Sequence, residues 1–220
     1  MQTAATICNQ LAAAPSLASI QLEPGYTPPP RELPTRPLLK AEPLPPFITD
    51  GLHPSVAQAH QATRSWVKAI LKHQPPYWLT LFGSSGCGKT FLARHARAAL
   101  RNKQRDCQLW NWAKAFDQLC DWDSDLMPHL CHLPILILDD IGTGYTMSDK
   151  TAELHSSKLY EILESRISKF TLITTNLSPQ QLRERLDARI ASRLFRGNNQ
   201  IIDLAHADDY SYLQYLKNRQ

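Results

Sequence analysis

Cysteine and long apolar runs are both scarce in this 220-residue chain. The five cysteines are scattered and never stand in C-x-x-C spacing, so the sequence suggests neither a disulfide framework nor a zinc site and favours reduced thiols. No apolar segment approaches the length of a membrane span, and the N-terminus lacks the basic start and uninterrupted apolar core of a signal peptide. These absences predict a soluble, cytoplasmic protein that does not contact a membrane.

The charge of the chain is nearly balanced. Lysine and arginine total 24 against 20 for aspartate and glutamate, which gives a formal net charge of +4 at pH 7. So mild an excess is weak evidence for a nucleic-acid partner, and its distribution along the chain matters more than its sum. The length fits one domain of ordinary size with a tail, and no internal repeat is apparent.

Prolines are concentrated near the N-terminus, where nine of the sixteen lie between Pro24 and Pro46. This density excludes a helix or a central strand and predicts an extended, partly polyproline-like linker. We therefore divide the chain into an N-terminal arm, residues 1–51, and a folded domain, residues 52–220. The proline content predicts an extended conformation but does not show whether the segment binds another protein. The arm is therefore either a tether or a segment that docks a protein partner.

The stretch Y-W-L-T-L-F-G-S-S-G-C-G-K-T, residues 77–90, has the form of a phosphate-binding loop between a strand and a helix. Small residues let successive backbone N–H groups point inward around phosphate oxygens. Lys89 is expected to reach the β- and γ-phosphates, and the hydroxyl of Thr90 to bind Mg²⁺. The expected ligand is a nucleoside triphosphate with Mg²⁺. The predicted nucleotide-binding residues are Gly83, Ser84, Ser85, Gly86, Cys87, Gly88, Lys89 and Thr90.

A second apolar run, P-I-L-I-L-D-D at residues 134–140, ends in two carboxylates. Such a run fits a parallel strand that is buried on both faces, and ligands sit at the carboxyl ends of such strands. We interpret it as a Walker B strand, in which Asp139 holds Mg²⁺ and Asp140 orients or deprotonates the attacking water. The alternative, a simple strand-to-turn junction before Gly142, is weakened by the phosphate loop upstream.

Residues 170–175 predict another buried strand, which ends at Asn176. A polar side chain at that tip can hydrogen-bond the γ-phosphate or the catalytic water, the role called sensor 1. Alternatively, Asn176 only caps the turn before Ser178 and Pro179, which are a good N-cap and first residue for the next helix.

Hydrophobic spacing predicts the remaining elements. Helices are expected at residues 53–73, 89–101, 113–119, 150–167, 179–194 and 208–217, and strands at 107–112 and 200–204. Residues 120–133 are expected to be irregular, with an acidic surface turn at Asp121, Asp123 and Asp125. The residues expected to face inward from the 150–167 helix are Leu154, Leu159, Ile162, Leu163 and Ile167.

Two groups of arginines stand on predicted helices. Arg94, Arg97, Arg101 and Arg105 recur at steps of three and four, which places them along one face of the helix after the phosphate loop. Arg189 and Arg193, four residues apart, share a face of the 179–194 helix, whose other arginines are Arg183 and Arg185. Each group can bind phosphate, but a basic helix face of this kind is more often simply solvated.

The elements follow one another in the order found in AAA+ ATPases: a phosphate loop, an intervening strand, a Walker B strand, a polar-tipped strand and a basic helix. Three segments carry a closer resemblance: L-I-L-D-D-I-G at 136–142, L-I-T-T-N-L at 172–177, and R-L-D-A-R-I-A-S-R-L at 185–194, followed by Gly197 and Asn198. Over about residues 52–217 the chain resembles the DnaC/IstB group, meaning bacterial helicase loaders and transposition helper ATPases.

The resemblance implies an α/β, three-layer AAA+ (ASCE P-loop) domain with a five-stranded parallel sheet and no C-terminal lid, preceded by the proline-rich arm. It also implies an ATPase that uses ATP and Mg²⁺, forms a helical or ring-like homo-oligomer and binds DNA. The implied catalytic residues are Asp140, Asn176, Arg189 and Arg193, and the implied metal ligands are Thr90 and Asp139. The pair Arg189 and Arg193 matches the arginines of the family's arginine-finger helix.

Some features depart from the family pattern. Asp140 occupies a position that is often glutamate, so hydrolysis is expected to be slow. The N-terminal region matches neither the zinc-bearing arm of some loaders nor a recognisable helical domain. The segment after the second strand contains residues suited to stacking and backbone contacts with single-stranded DNA, or to a core or subunit interface: Trp110, Trp112, Lys114, Phe116 and Trp122.

Three functional hypotheses follow. The first is a helicase loader that binds single-stranded DNA and delivers a replicative helicase docked on residues 1–51. The second is an IstB-like transposition helper that binds duplex DNA and a transposase. The third, a metabolite kinase, is disfavoured by the Walker B, sensor and arginine-helix set and by the lack of an evident acceptor lid. The short arm, which replaces a folded DNA-clamping domain, favours the loader.

Overall fold

Five short apolar runs form one parallel sheet in the computed structural model, which describes residues 52–120, 125–142, 149–196, 199–210 and 212. Its strands are β1 (Trp78–Gly83), β2 (Cys107–Asn111), β3 (Ile135–Ile141), β4 (Phe170–Thr175) and β5 (Gln200–Leu204). Their order in the sheet is β2-β3-β4-β1-β5, and every pairing is parallel. Strands β1 and β4 are buried along their whole length, as expected for a sheet that is covered on both faces.

Helices cover both faces of this sheet. They are α1 (Pro54–Lys72), α2 (Lys89–Asn102), α3 (Trp112–Leu119), α4 (Leu126–His132), α5 (Asp149–Ser165), α6 (Pro179–Arg185) and α7 (Ala188–Leu194). One core cluster joins the sheet to α1 and α2, and the other joins it to α3, α4, α5, α6 and α7. The result is the predicted three-layer α/β architecture with a five-stranded parallel sheet.

The first helix follows directly from its sequence. Pro54 stands at its first position, the ring of His53 accepts a hydrogen bond from the backbone N–H of Ser55 at 3.3 Å, and the chain leaves at His73 in the left-handed region. Its apolar stripe buries Trp66 completely against β1 and β5. The helix predicted at residues 53–73 is thereby confirmed.

The prediction that residues 120–133 are irregular is wrong, because α4 occupies Leu126–His132. Leu126, Leu130 and Cys131 are buried there. Pro128 falls in the first turn, where a backbone N–H needs no helical partner, so it does not break so short a helix. Residues 121–124 lie outside the described residues.

Two of the five residues expected to face inward from α5 do not. Leu154 is 44% exposed and Ile167, beyond the helix end, is 50% exposed, whereas Leu159, Ile162 and Leu163 are buried. Two polar residues of α5, His155 and Ser156, are buried on its inner face because each forms a hydrogen bond there. The ring of His155 accepts a hydrogen bond from Trp112 Nε1 at 3.0 Å. The hydroxyl of Ser156 donates to the carbonyl of Leu186 at 2.8 Å.

The helix expected at residues 179–194 is two helices, α6 and α7, with a break at Leu186 and Asp187. Ser178 is the N-cap of α6 and Pro179 its first residue, as predicted, and Gln181 adds a capping box that was not predicted. Asp187 is a second N-cap: its carboxylate accepts from the backbone N–H of Arg189 at 2.7 Å. Most of the predicted 208–217 helix, like the whole arm, lies outside the described residues.

Among the described residues, no helix combines the length and the apolar character that a bilayer crossing requires.

Candidate nucleotide-binding site

The loop that joins β1 to α2 depends on glycines. Gly83, Gly86 and Gly88 have φ angles of 152°, 81° and 92°, values that side chains other than glycine rarely allow. A Cβ atom on Gly83 would lie 2.5 Å from the backbone carbon of Leu204, so β5 leaves room only for hydrogen there. The loop thus has the cradle geometry that backbone binding of phosphates requires.

Lys89 places its charge inside this loop. The side chain is almost buried, and its Nζ donates to the carbonyls of Gly83 at 2.9 Å and Ser84 at 2.6 Å. Cys87 is buried in the core cluster with α1 and α2, and its Sγ lies 3.4 Å from the same Nζ. Three of the predicted loop residues, Gly83, Ser84 and Cys87, therefore contact the Lys89 ammonium group, and Ser84 and Ser85 are exposed.

The two predicted metal ligands are neighbours. The hydroxyl of Thr90, at the start of α2, donates to Asp139 Oδ1 at 3.0 Å. Asp139 is almost buried at the carboxyl end of β3, and a hydroxyl beside a carboxylate is a donor set that Mg²⁺ accepts. The residues present therefore fit a magnesium nucleotide. The carboxylate also receives a hydrogen bond from the hydroxyl of Thr174 at 2.7 Å.

Thr174 is a functional position that the sequence analysis missed. Besides holding Asp139, its Oγ1 accepts a hydrogen bond from the backbone N–H of Asp140 at 2.8 Å, so one buried hydroxyl fixes both carboxylate residues. The signal was the pair of threonines, Thr174 and Thr175, at the carboxyl end of a fully buried strand. A buried polar side chain needs a partner, and here the partner is the neighbouring strand's acid.

Asp140 has an unusual backbone, with φ at 64°. The register of β3 against β4 shifts between Leu138 and Ile141. At such an irregularity the side chains no longer alternate regularly between the two faces of the sheet, and Asp140 lies within it. Its Oδ1 accepts a hydrogen bond from Asn176 Nδ2 at 2.9 Å. The structure thus brings together the predicted catalytic carboxylate and the predicted sensor residue. Strained backbone of this kind is often found at functional sites.

The two arginines of α7 form a cluster with α5. Their guanidinium carbons lie 4.7 Å (Arg189) and 4.5 Å (Arg193) from the centre of the Tyr160 ring. Arg193 also donates to the Tyr160 hydroxyl at 2.7 Å and pairs with Glu164, a hydrogen bond that lowers the pKa of that carboxyl. Arg189 pairs with Asp187 at 2.8 Å.

The two side chains in this cluster differ in exposure. The side chain of Arg189 is 63% exposed and that of Arg193 17%. Arg193 is thus largely packed against neighbouring residues of the chain, while the side chain of Arg189 is largely exposed.

The chain after β5 covers the phosphate loop, which the sequence did not predict. The backbone N–H of Tyr210 donates to the carbonyl of Gly86 at 2.9 Å, and the carboxylate of Asp209 packs against the Cα of Gly86. The ring of Tyr210 stacks with Phe91, with centroids 6.4 Å apart. This segment therefore supports the outer side of the loop.

The aromatic residues after β2 are divided between core and surface. Trp112 and Phe116 are buried and pack around His155, so of the two alternatives for this segment the core position holds for these residues. Trp110 is half-buried and Lys114 is exposed, and Trp122 lies outside the described residues. Helix α3 buries its aromatic face because that face lies against β3 and α5.

Comparison with known proteins gives structural matches alone. No protein-family model matches the chain, and no curated protein matches it. Among solved structures, the DnaC helicase loader is 26% identical, with a TM-score of 0.56 over 69% of this chain and 90% of that one. DnaI is 23% identical, with a TM-score of 0.55 over 66% of this chain and 80% of that one.

A third solved structure, AMPPCP-bound DnaA from Aquifex aeolicus, is 19% identical, with a TM-score of 0.58. The match covers 79% of this chain but only 52% of that one. At such identities the DnaI and DnaA matches establish the fold, and the match to the DnaC loader extends the likeness to a replication protein.

Proposed function

We propose that this DnaC/IstB-like AAA+ ATPase is a helicase loader, which binds single-stranded DNA and delivers a replicative helicase in the cytoplasm. The observation that carries the proposal is the joint placement of Lys89, the Thr90–Asp139 pair and the Asp140–Asn176 pair at one edge of the sheet. The likeness to the DnaC loader over 69% of the chain supports the choice among AAA+ functions.

The residues of the candidate site have different roles in ATP hydrolysis. The loop N–H groups and Lys89 bind the phosphates, and Thr90 and Asp139 would hold Mg²⁺, which would supply positive charge beside the phosphate oxygens. The carboxylate of Asp140 takes up the proton of the attacking water, and Asn176 holds that carboxylate in place through its 2.9 Å hydrogen bond. Because aspartate is one methylene shorter than glutamate, turnover is slow and serves as a switch.

The active unit is a homo-oligomer in this proposal. Arg189 and Arg193 lie on a helix that follows the sensor strand, and their guanidinium groups reach the γ-phosphate bound to a neighbouring subunit. Both guanidinium groups lie over the ring of Tyr160, where Arg189 pairs with Asp187 and Arg193 with Glu164. Residues 1–51 dock the helicase.

A pull-down from the source cell tests the proposal. The bait is the full chain with Asp140→Asn, which retains ATP and stays in the bound state, and the control bait is Lys89→Ala, which does not bind ATP. A replicative helicase identified by mass spectrometry on the first bait alone is the expected result. Recovery of a transposase instead would show that the protein is a transposition helper. Failure to recover either a helicase or a transposase would contradict both functions.

A further inference from the structure

One tyrosine of α5 contacts both arginines of α7. The guanidinium carbons of Arg189 and Arg193 lie 4.7 Å and 4.5 Å from the centre of the Tyr160 ring, and Arg193 also donates to the Tyr160 hydroxyl at 2.7 Å. At these distances the negative face of the ring attracts a cation. Two side chains that leave α7 one turn apart are therefore held on a single ring of another helix.

The charges around this ring are balanced. Arg189 pairs with Asp187 at 2.8 Å, and Arg193 pairs with Glu164, which lies one helical turn after Tyr160 on α5. The hydrogen bonds from the two arginines lower the pKa of both carboxyls, so both are ionised at neutral pH. Two carboxylates beside two guanidinium groups offset the repulsion that would otherwise drive the two cations apart.

Packing alone already attaches α7 to the domain. Ile190, Ala191 and Leu194 are buried, and the hydroxyl of Ser156 donates to the carbonyl of Leu186 just before this helix. Ion pairs with exposed partners contribute little to stability, because solvent screens the charges and the ordering of long side chains costs entropy. The cluster around Tyr160 therefore orders two arginines beyond what the attachment of the helix requires.

We propose that Tyr160 is a positioning residue, which holds Arg189 and Arg193 as one preordered unit for the nucleotide of a neighbouring subunit. The proposal rests on the proposed function, in which those arginines act on a neighbouring subunit, and adds the residue that aims them. A freely moving arginine must lose rotamer freedom when it contacts a phosphate, and this loss opposes the contact. Tyr160 imposes the order before the subunits meet, so the guanidinium groups reach the γ-phosphate already oriented.

The exposure of the three side chains agrees with this role. The side chain of Arg189 is largely exposed and can reach a second subunit, although the ring already orders its guanidinium. Arg193 is mostly packed and links the ring to Glu164, so it fixes the inner side of the unit. Tyr160 itself is half-buried and packs against the core between the sheet and α3, α4, α5, α6 and α7, which makes it a firm support.

The test measures ATP turnover and ATP affinity of the full chain at high protein concentration with Mg²⁺. Tyr160→Leu removes the ring and the hydroxyl. Its turnover number should fall roughly tenfold or more while its ATP affinity stays unchanged, because its own phosphate loop is intact. Tyr160→Phe keeps the ring and loses only the hydroxyl contact, so it should recover most of that loss.

Tyr77→Leu is the matched control. It removes another half-buried tyrosine, which lies at the amino end of the sheet and whose ring contacts that of Phe170 at 5.3 Å between centroids. The turnover number of this control should equal that of the parent. An equal loss of turnover in Tyr77→Leu and Tyr160→Leu would mean that any lost tyrosine contact slows the enzyme, and would overturn the proposal.

Mixing shows whether lost turnover comes from misplaced arginines or from a damaged fold. Tyr160→Leu keeps its own phosphate loop, and Lys89→Ala keeps its arginines on an intact Tyr160, so a mixture of the two should recover part of the activity. A mixture of Tyr160→Leu with Arg193→Ala should recover none, because both lack the positioned arginines. A loss that Lys89→Ala does not relieve would show that Tyr160 only supports the fold, and would overturn the positioning role.

Comparison with the arginine variants separates this proposal from the one on which it rests. If Arg189→Ala and Arg193→Ala lose turnover but Tyr160→Leu keeps it, the positioning role is overturned and the action on a neighbouring subunit stands. If both arginine variants keep full turnover, that action is overturned, and the positioning role with it.

Discussion

At the scale of single residues, Lys89 is the charge on which we predict that nucleotide binding depends. Its Nζ lies within 2.9 Å of two loop carbonyls, so it is already placed where phosphate oxygens enter the loop. Lys89→Ala removes a charge-assisted contact worth about 1.5–3 kcal/mol, which is roughly a tenfold to over a hundredfold loss of ATP affinity. Calorimetric titration of ATP into the variant measures that loss. Unchanged affinity would show that the phosphate loop has been wrongly assigned.

Thr174 gives a second prediction at this scale. Thr174→Val keeps the shape of the side chain but removes the hydroxyl that holds Asp139 at 2.7 Å and accepts from the N–H of Asp140. Because misplacement of a catalytic group by about 1 Å can cost about a hundredfold in rate, we expect the turnover number to fall roughly tenfold or more while ATP still binds. Steady-state ATPase assays and calorimetry measure the two quantities.

Thr80 supplies the matched control for Thr174. It is buried in the neighbouring strand β1, and its hydroxyl has no hydrogen-bond partner among the described residues. Thr80→Val should therefore leave turnover unchanged and should not lower stability, since it removes an unsatisfied polar atom. Equal turnover in both valine variants would mean that Thr174 does not position the carboxylates.

At the scale of the helices, His155 makes the packing of α3 against α5 sensitive to pH. Burial lowers the pKa of His155 to about 4, while the charge of Asp117 acts in the opposite direction. Between that value and the ordinary pKa of 6.5 the unfolded chain binds more protons than the folded one. The contribution of His155 to stability is thus complete above about pH 6.5 and is lost as the pH falls toward 4.

The matching experiment compares urea unfolding of the parent and of His155→Asn at pH 7.5 and pH 5. The asparagine amide oxygen can still accept from Trp112 Nε1 but does not titrate. We expect the unfolding free energy of the parent to fall more between the two pH values than that of the variant. An equal fall in both proteins would mean that other groups carry the pH dependence.

The elements that could be predicted from the sequence are those with a regular pattern. All five strands, α1 and α2 follow from apolar runs or helical spacing, and the phosphate loop and the two carboxylates follow from their positions at strand ends. What the pattern missed depends on contacts between distant residues. Arg166 is fully buried because it donates to the carbonyls of Leu130, Leu133 and Phe170, and none of these partners is visible in local spacing.

The same reasoning explains the errors in the helices and in the site. The break between α6 and α7 needs the Asp187 cap and the hydrogen bond from Ser156 to the Leu186 carbonyl, and the latter spans 30 residues. Arg94 and Lys114 line one cavity beside Asp139 only because α2 and α3 flank neighbouring parts of the sheet. Sequence spacing predicts which residues share a helix face, but not which other element that face meets.

At the scale of the whole molecule, residues 1–51 are predicted to dock the partner without supporting the folded domain. Deletion of these residues should leave ATP affinity unchanged, because the loop, Thr90 and Asp139 are held by contacts within the sheet and its helices. It should abolish capture of the helicase. Capture by the shortened protein would show that the arm is a tether and that the docking surface lies on the domain.

The last prediction concerns assembly through Arg189 and Arg193. If their guanidinium groups complete the nucleotide site of a neighbouring subunit, the ATPase rate per subunit should rise with protein concentration. Arg193→Ala keeps its own phosphate loop, and Lys89→Ala keeps its own arginines. Each should be nearly inactive alone, yet a mixture should recover part of the activity, because some interfaces then join an intact loop to intact arginines. Arg189→Ala in place of Arg193→Ala should behave in the same way.

Thermal melting distinguishes the two arginines, because their contacts within the subunit differ. Both guanidinium groups lie over the Tyr160 ring, but Arg193 also donates to the Tyr160 hydroxyl and pairs with Glu164 of α5, whereas Arg189 is exposed and pairs with Asp187 two residues away. Arg193→Ala should therefore lower the melting temperature of the monomer more than Arg189→Ala does. A variant that loses ATPase activity at an unchanged melting temperature acts through the interface, because its own fold is intact. Full activity of both variants at concentrations where only monomer is present would exclude a site completed by a neighbouring subunit.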